Sequence, residues 1–150
     1  AGGADRHGTA VPGRARGRQG AGGAIGYPLG IATGKSQRGV RMVLGHHGLI
    51  DYFHTIKTAD DAPSKPHPGM VMECMREAGV LPGDTVVIGD TTYDIAMAHA
   101  AGARAIGVAW GYHPVADLQA TGADEVIGDG ALIPSAIERL FTSVVVPAAE

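Results

Sequence analysis

The stretch Val86-Val87-Ile88-Gly89-Asp90-Thr91-Thr92-Tyr93-Asp94 decides the fold class. A β-branched apolar run ends in Gly-Asp, and a second Asp follows four residues later. Such a run predicts a strand buried on both faces, as in a parallel sheet, opening into a turn at its C-terminal end. Ligands of open α/β sheets sit in the crevice outside those strand ends. Two carboxylates there, Asp90 and Asp94, suit a hard-oxygen site for Mg²⁺, which takes one or two carboxylates plus substrate phosphate. The same residues also suit a plain turn aspartate and an ordinary first-turn helix acid.

Outward from this stretch, strands and helices alternate. Leu29 to Thr33 is a short strand, and Ser36 can cap a helix that runs to about His47. Val40, Val43 and Leu44 share one face of it. Tyr52 to Thr58 reads as a second strand. A loop marked by Pro66 and Pro68 leads to a helix over 69–78, closed by Gly79. Thr85 to Gly89 is the third strand and Thr91 to Ala101 the third helix. A fourth strand (104–109), a helix (114–121), a short strand (125–127) and a last helix (132–141) complete the pattern. Alternation of this kind implies parallel βαβ units in a doubly wound, Rossmann-like α/β sheet.

Residues 1–27 differ in composition. Gly, Ala and Arg dominate, and the larger apolar groups are Val11, Ile25 and Tyr27. Such a segment buries too little surface to offset its ordering entropy, which predicts a disordered leader. Arg14, Arg16 and Arg18 could form a basic arm, but no aromatic interleaves with them for base stacking. GC-rich coding DNA read out of frame also yields this composition. The expected division is therefore a leader over 1–27 and an α/β core over 28–150.

The 150 residues carry a net charge of −3. That balance does not suggest a nucleic-acid partner. The one cysteine, Cys74, allows no internal disulfide and reads as a small core residue. No apolar run reaches membrane-spanning length, and no signal-peptide core is present in the sequence. The expectation is a cytoplasmic protein without a membrane partner. The histidines have no metal-ligand spacing.

Three strand ends carry chemistry in one crevice. The first strand ends in Thr33-Gly34-Lys35, the loop after the second holds Ser64-Lys65-Pro66, and the third ends in Gly89-Asp90. A hydroxyl beside a backbone N–H, an ammonium and paired carboxylates are the parts that phosphoryl transfer needs. Together they resemble the haloacid dehalogenase (HAD) superfamily of phosphohydrolases. Ile31-Ala32-Thr33-Gly34 is similar to its second motif, Ser64-Lys65-Pro66-His67-Pro68 to its third, and Gly89 to Asp94 to its fourth. The run Ala109-Trp110-Gly111-Tyr112 is similar to phosphoglycolate phosphatase-like members. The resemblance covers residues 28 to about 141. It implies a Mg²⁺-dependent phosphomonoesterase working through an aspartyl-phosphate intermediate on a small phosphorylated metabolite such as 2-phosphoglycolate. Thr33 and the Gly34 N–H would hold phosphoryl oxygens, Lys65 would neutralise charge, and Asp90, aided by Asp94, would hold Mg²⁺.

The family's first motif, an apolar strand ending in Asp-x-Asp-Gly-Thr, has no good match. The nearest string is Asp5-Arg6-His7-Gly8-Thr9, with His at the second acidic position. Asp5 and Thr33 lie only 28 positions apart, too few for the family's helical cap. The resemblance therefore implies the C-terminal part of an HAD core, without nucleophile, cap or central strand, and inactive in this form. A non-catalytic binding or interaction fragment is the alternative. Gly30 to Ser36 departs from a P-loop by having three residues between its glycines where four are needed. Gly20, Gly22 and Gly23 follow no strand and lack the third glycine of a dinucleotide loop. A receiver domain would place its aspartate before Thr and Lys, the reverse of the order here.

Overall fold

The computed structural model describes residues 8–10, 27–110 and 113–148, with side chains over 27–110 and 113–141. Six strands form one sheet: β1 (Gly8–Ala10), β2 (Gly30–Thr33), β3 (Thr55–Thr58), β4 (Val86–Gly89), β5 (Arg104–Val108) and β6 (Glu125–Ile127). Their order across the sheet is β3-β2-β1-β4-β5-β6. The helices are α1 (Gln37–His46), α2 (Gly69–Ala78), α3 (Thr92–Ala100), α4 (Val115–Ala120) and α5 (Ile133–Ala148). The doubly wound α/β class expected from the sequence is present.

Alternation along the strands sorts the core into two faces. Ala32, Val87 and Ala105 face Met70, Val71 and Cys74 of α2, Ile95 and Met97 of α3, and Leu118 of α4. On the other side, Val86 and Ile106 pack under Ile137, Leu140 and Phe141 of α5. Ile31 and Ile56 pack under Val40 and Leu44 of α1. The helices end where their caps dictate. Ser36 accepts the Gly39 N–H at 3.0 Å, and Gly79 closes α2 in the left-handed conformation, φ 67°. The second strand is shorter than expected, because Ile50–Tyr52 forms a 3₁₀ turn that leaves Tyr52 exposed. The last helix runs longer, to Ala148.

Two expectations for the N-terminal segment are corrected. Residues 8–10 are not structureless: they form β1 at the centre of the sheet, and the remainder of 1–26 lies outside the described residues. Tyr27 belongs to the core, its ring 5.8 Å from that of Phe141 and its hydroxyl donating to Glu138 Oε1 at 2.8 Å. The sheet is also not wholly parallel. β1 runs antiparallel to β2, pairing Gly8 with Thr33 and Ala10 with Ile31, and antiparallel to β4, pairing Ala10 with Ile88. All other pairs are parallel. The physical reason lies in the slot between β2 and β4, where backbone N–H and C=O groups on both sides need partners. Small residues such as Gly8-Thr9-Ala10 can supply them without any apolar periodicity. The expectation of an empty central slot is therefore replaced by a filled one.

Candidate active site

The C-terminal ends of β2 and β4 flank β1, so Thr33 and Asp90 stand on either side of the central strand. Both are buried, Thr33 completely and Asp90 at 5 % exposure. The Thr33 hydroxyl accepts the Lys35 N–H at 3.2 Å, which folds the chain sharply at the strand end. Gly34 is exposed, and a side chain there would meet nothing within 4 Å.

The loop after β3 brings Lys65 back over β4. Its ammonium sits 2.7 Å from Asp94 Oδ1, with the lysine side chain 14 % exposed and the aspartate 2 %. The Lys65–Pro66 peptide is cis. Asp94 occupies the first turn of α3, where Thr91 is the N-cap. Thr91 donates its N–H and hydroxyl to Asp94 Oδ2 at 3.2 and 3.0 Å, and accepts the Asp94 N–H at 3.2 Å. This reciprocal capping box satisfies helix donors and fixes the carboxylate in one orientation. The carboxylate folds back over Gly89: a methyl group on Gly89 would lie 2.2 Å from Asp94 Cβ. Gly89 is thus required by the close approach of its neighbour.

These parts enclose a cavity of about 420 Å³. Gly34 and Lys35 line it from the end of β2, Ser64 and Lys65 from the loop, and Tyr93 and Asp94 from α3. The structure therefore joins Lys65 to Asp94 directly and lines the same cavity with Gly34, with Thr33 and Asp90 buried at the adjoining strand ends. Among the described residues, no group of three or more His, Cys, Asp or Glu side chains gathers as a metal cage. The oxygen donors of Asp90 and Asp94 still fit Mg²⁺, which commonly keeps several waters beside one or two carboxylates. Both oxygens of Asp94 already hold partners, one facing Lys65 and one facing Thr91.

The role of Thr91 has a signal in the sequence, the capping-box string Thr-x-x-Asp over residues 91–94. His113 had no such signal. It reaches back 21 residues to accept the Thr92 N–H at 2.9 Å through Nδ1. Asp5, the nearest candidate for a first-motif acid, lies outside the described residues.

Residues 24–108 match the family described as haloacid dehalogenase-like hydrolase. The probable phosphatase IndB of Dickeya dadantii (strain 3937) is 42 % identical over 96 residues, covering 63 % of this chain and 42 % of that protein. A phosphoglycolate phosphatase of Nitrosococcus oceani is 31 % identical over 103 residues, covering 68 % of this chain and 46 % of that protein. The pyrophosphatase PpaX of Bacillus pumilus (strain SAFR-032) is 41 % identical over 86 residues, covering 57 % and 40 % respectively. The chain spans less than half the length of these relatives. Among solved structures, an HAD family hydrolase of Deinococcus radiodurans R1, with bound phosphate and sodium, superposes with a TM-score of 0.70 at 27 % identity. That match covers 78 % of this chain and 54 % of the other. A predicted phosphoglycolate phosphatase of Haemophilus somnus gives 0.69 at 28 % identity, covering 75 % and 51 %.

Proposed function

Because the chain belongs to the haloacid dehalogenase-like hydrolase family, we propose that it carries the phosphate- and metal-binding half of a phosphomonoesterase. The observation that carries this reading is the pair of half-buried Lys65 and buried Asp94 at 2.7 Å, on the wall of a cavity at the strand ends. A buried ion pair is weak evidence of stabilisation, because the desolvation of both charges offsets much of their attraction. An ammonium held at a strand-end crevice is better explained by an anion that it serves.

In this proposal, the Thr33 hydroxyl and the Gly34 N–H bind phosphoryl oxygens. Lys65 neutralises the charge that develops on them, held in place by Asp94. Asp90, aided by Asp94, holds Mg²⁺, which when bound adds positive charge against the phosphoryl oxygens. The α/β core takes in β1 as well as residues 27 onward, and the protein operates in the cytoplasm. The substrate class is a small phosphorylated metabolite. Relatives named phosphoglycolate phosphatase and pyrophosphatase support that class. The whole protein would work through an aspartyl-phosphate intermediate.

A second reading, a non-catalytic binding or interaction piece of the same fold, is favoured by β1. That strand runs antiparallel, and the residue it presents at the crevice end, opposite Thr33, is Gly8. Glycine offers no nucleophile. Residues 1–150 are accordingly expected to give no measurable hydrolysis of p-nitrophenyl phosphate with Mg²⁺. Turnover that is lost in Asp5→Asn would reinstate Asp5 as the nucleophile and overturn that expectation. Binding is tested separately by thermal melts with millimolar Mg²⁺ and inorganic phosphate. A ligand present at its Kd stabilises by about 0.4 kcal/mol, or roughly 1–2 °C for a chain of this size. The rise should vanish in Asp90→Asn and Lys65→Met. A melt unmoved by Mg²⁺ and phosphate together would refute the site.

A further inference from the structure

Tyr93 stands one residue before Asp94 in the first turn of α3, yet its surroundings are opposite. Asp94 is buried against Gly89 and Lys65, whereas Tyr93 is 56 % exposed and borders the same cavity. Successive helical residues point about 100° apart, so the turn that aims the carboxylate inward aims the ring at the mouth. The ring is also steadied. His113 meets it edge-on, with centroids 5.8 Å apart and planes at 64°. His113 is itself anchored by accepting the Thr92 N–H through Nδ1 at 2.9 Å. Two contacts from one side chain to consecutive residues of α3 restrain Tyr93 before any ligand arrives.

We propose that Tyr93 is a specificity-determining residue of this crevice, selecting a phosphorylated ligand that carries a flat unsaturated ring beside its phosphoryl group. The inference rests on the phosphate-binding reading of Lys65 and Gly34. With a phosphoryl group at that end, a cavity of about 420 Å³ lies within the range that holds drug-sized ligands and exceeds what one tetrahedral anion fills. Tyr93 is the aromatic side chain among the described residues that line the remainder. A tyrosine has few rotatable bonds and a large amphipathic face, so a restrained one binds a ring at low entropic cost. An offset-stacked ring is expected to tighten binding about two- to tenfold over a non-planar group of equal size. His113 is a positioning residue for that wall.

Ligand-observed NMR titration of the full chain with Mg²⁺ tests this, using inorganic phosphate, phenyl phosphate and cyclohexyl phosphate. The expected order places phenyl phosphate tightest. Tyr93→Phe should keep the preference and Tyr93→Ala should abolish it, leaving the affinity for inorganic phosphate unchanged. His113→Ala should reduce the preference while leaving inorganic phosphate unaffected. Equal binding of phenyl and cyclohexyl phosphate, or a phenyl preference that survives Tyr93→Ala, overturns this inference alone. Failure of inorganic phosphate to bind overturns the phosphate-site reading and this inference with it. Because Tyr93 is exposed, matching melts of the variants guard against a folding artefact.

Discussion

Replacing Gly89 with alanine tests the local architecture of the site without touching a charged group. The new Cβ would stand 2.2 Å from Asp94 Cβ and 2.4 Å from its Cγ and Oδ2. Carbon atoms prefer 3.5–4.0 Å, so more than 1 Å of movement is needed. Rotating the Asp94 side chain does not relieve the clash, because its Cβ is fixed by the backbone. The first turn of α3 must therefore move away from the end of β4. That movement strains a packed interface, which costs about 1–3 kcal/mol, and loosens the capping box, worth about 1 kcal/mol. A total of about 2–4 kcal/mol lowers the melting temperature by roughly 5–15 °C at this chain length. Gly34→Ala is the matched control, since its Cβ meets nothing within 4 Å and neither glycine has a positive φ. The two variants, melted by circular dichroism beside the parent, should separate clearly. In an Asp94→Gly background the colliding Cβ is gone, and Gly89→Ala should cost at least 1 kcal/mol less than it does alone. A Gly89→Ala melt within about 2 °C of Gly34→Ala would refute the reasoning.

Further outcomes follow from burial and charge. Burial pushes the Cys74 thiol up to about 12, so a thiol reagent at pH 8 should leave Cys74 of the folded chain unmodified over the time in which urea-unfolded chain reacts fully. Prompt reaction in the folded state would contradict the packing under α2. At the sheet edge, the hydrogen bond from Lys57 holds Glu77 below the ordinary glutamate range, with Thr55 adding to it. The same bond raises Lys57. The depressed acid stabilises above its unfolded pKa and loses that contribution as pH falls through its folded value. The raised lysine stabilises below its unfolded pKa and loses that contribution as pH rises past its folded one. The pair should therefore contribute most between about pH 5 and pH 10. For a partly exposed pair this is less than about 1 kcal/mol. Glu77→Gln should lower the melting temperature at pH 7 more than at pH 4, and an equal drop at both would argue against it.

The parts of this fold that the sequence made legible are those where local signals and global packing coincide. β4 was readable because Val86 and Val87 are fully buried, one on each face, and a run of such residues has few other uses. α2 was readable to the residue, because Gly69 to Ala78 has a proline before it and a left-handed glycine after it. β1 was illegible for the opposite reason. Gly8-Thr9-Ala10 has no pattern of its own, and its strand character comes from the unpaired edges of β2 and β4, far away in sequence. The site divides in the same way. Asp90 and Asp94 announce themselves by spacing, and Lys65 by its proline-rich loop. The contact between Lys65 and Asp94 spans 29 positions and depends on how that loop returns over the sheet.

The orientation of β1 bears directly on catalysis. A parallel strand in that slot delivers its last residues to the crevice, where Thr33 and Asp90 end their own strands. An antiparallel one delivers its first residue there and carries the following ones away: Gly8 pairs with Thr33 and Ala10 with Ile31. The slot between the strand ends of Thr33 and Asp90 is thus filled for pairing, and among the described residues β1 adds no carboxylate there. Sheet completion and catalytic completion make separate demands on the same position. Any extended backbone meets the first, because the neighbouring strands need only N–H and C=O partners. The second, in the aspartyl-phosphate reading proposed above, needs a carboxylate at the crevice end. The described strand meets the first demand and carries no carboxylate for the second, so on the proposed reading residues 1–150 are expected to bind phosphate without cleaving its esters.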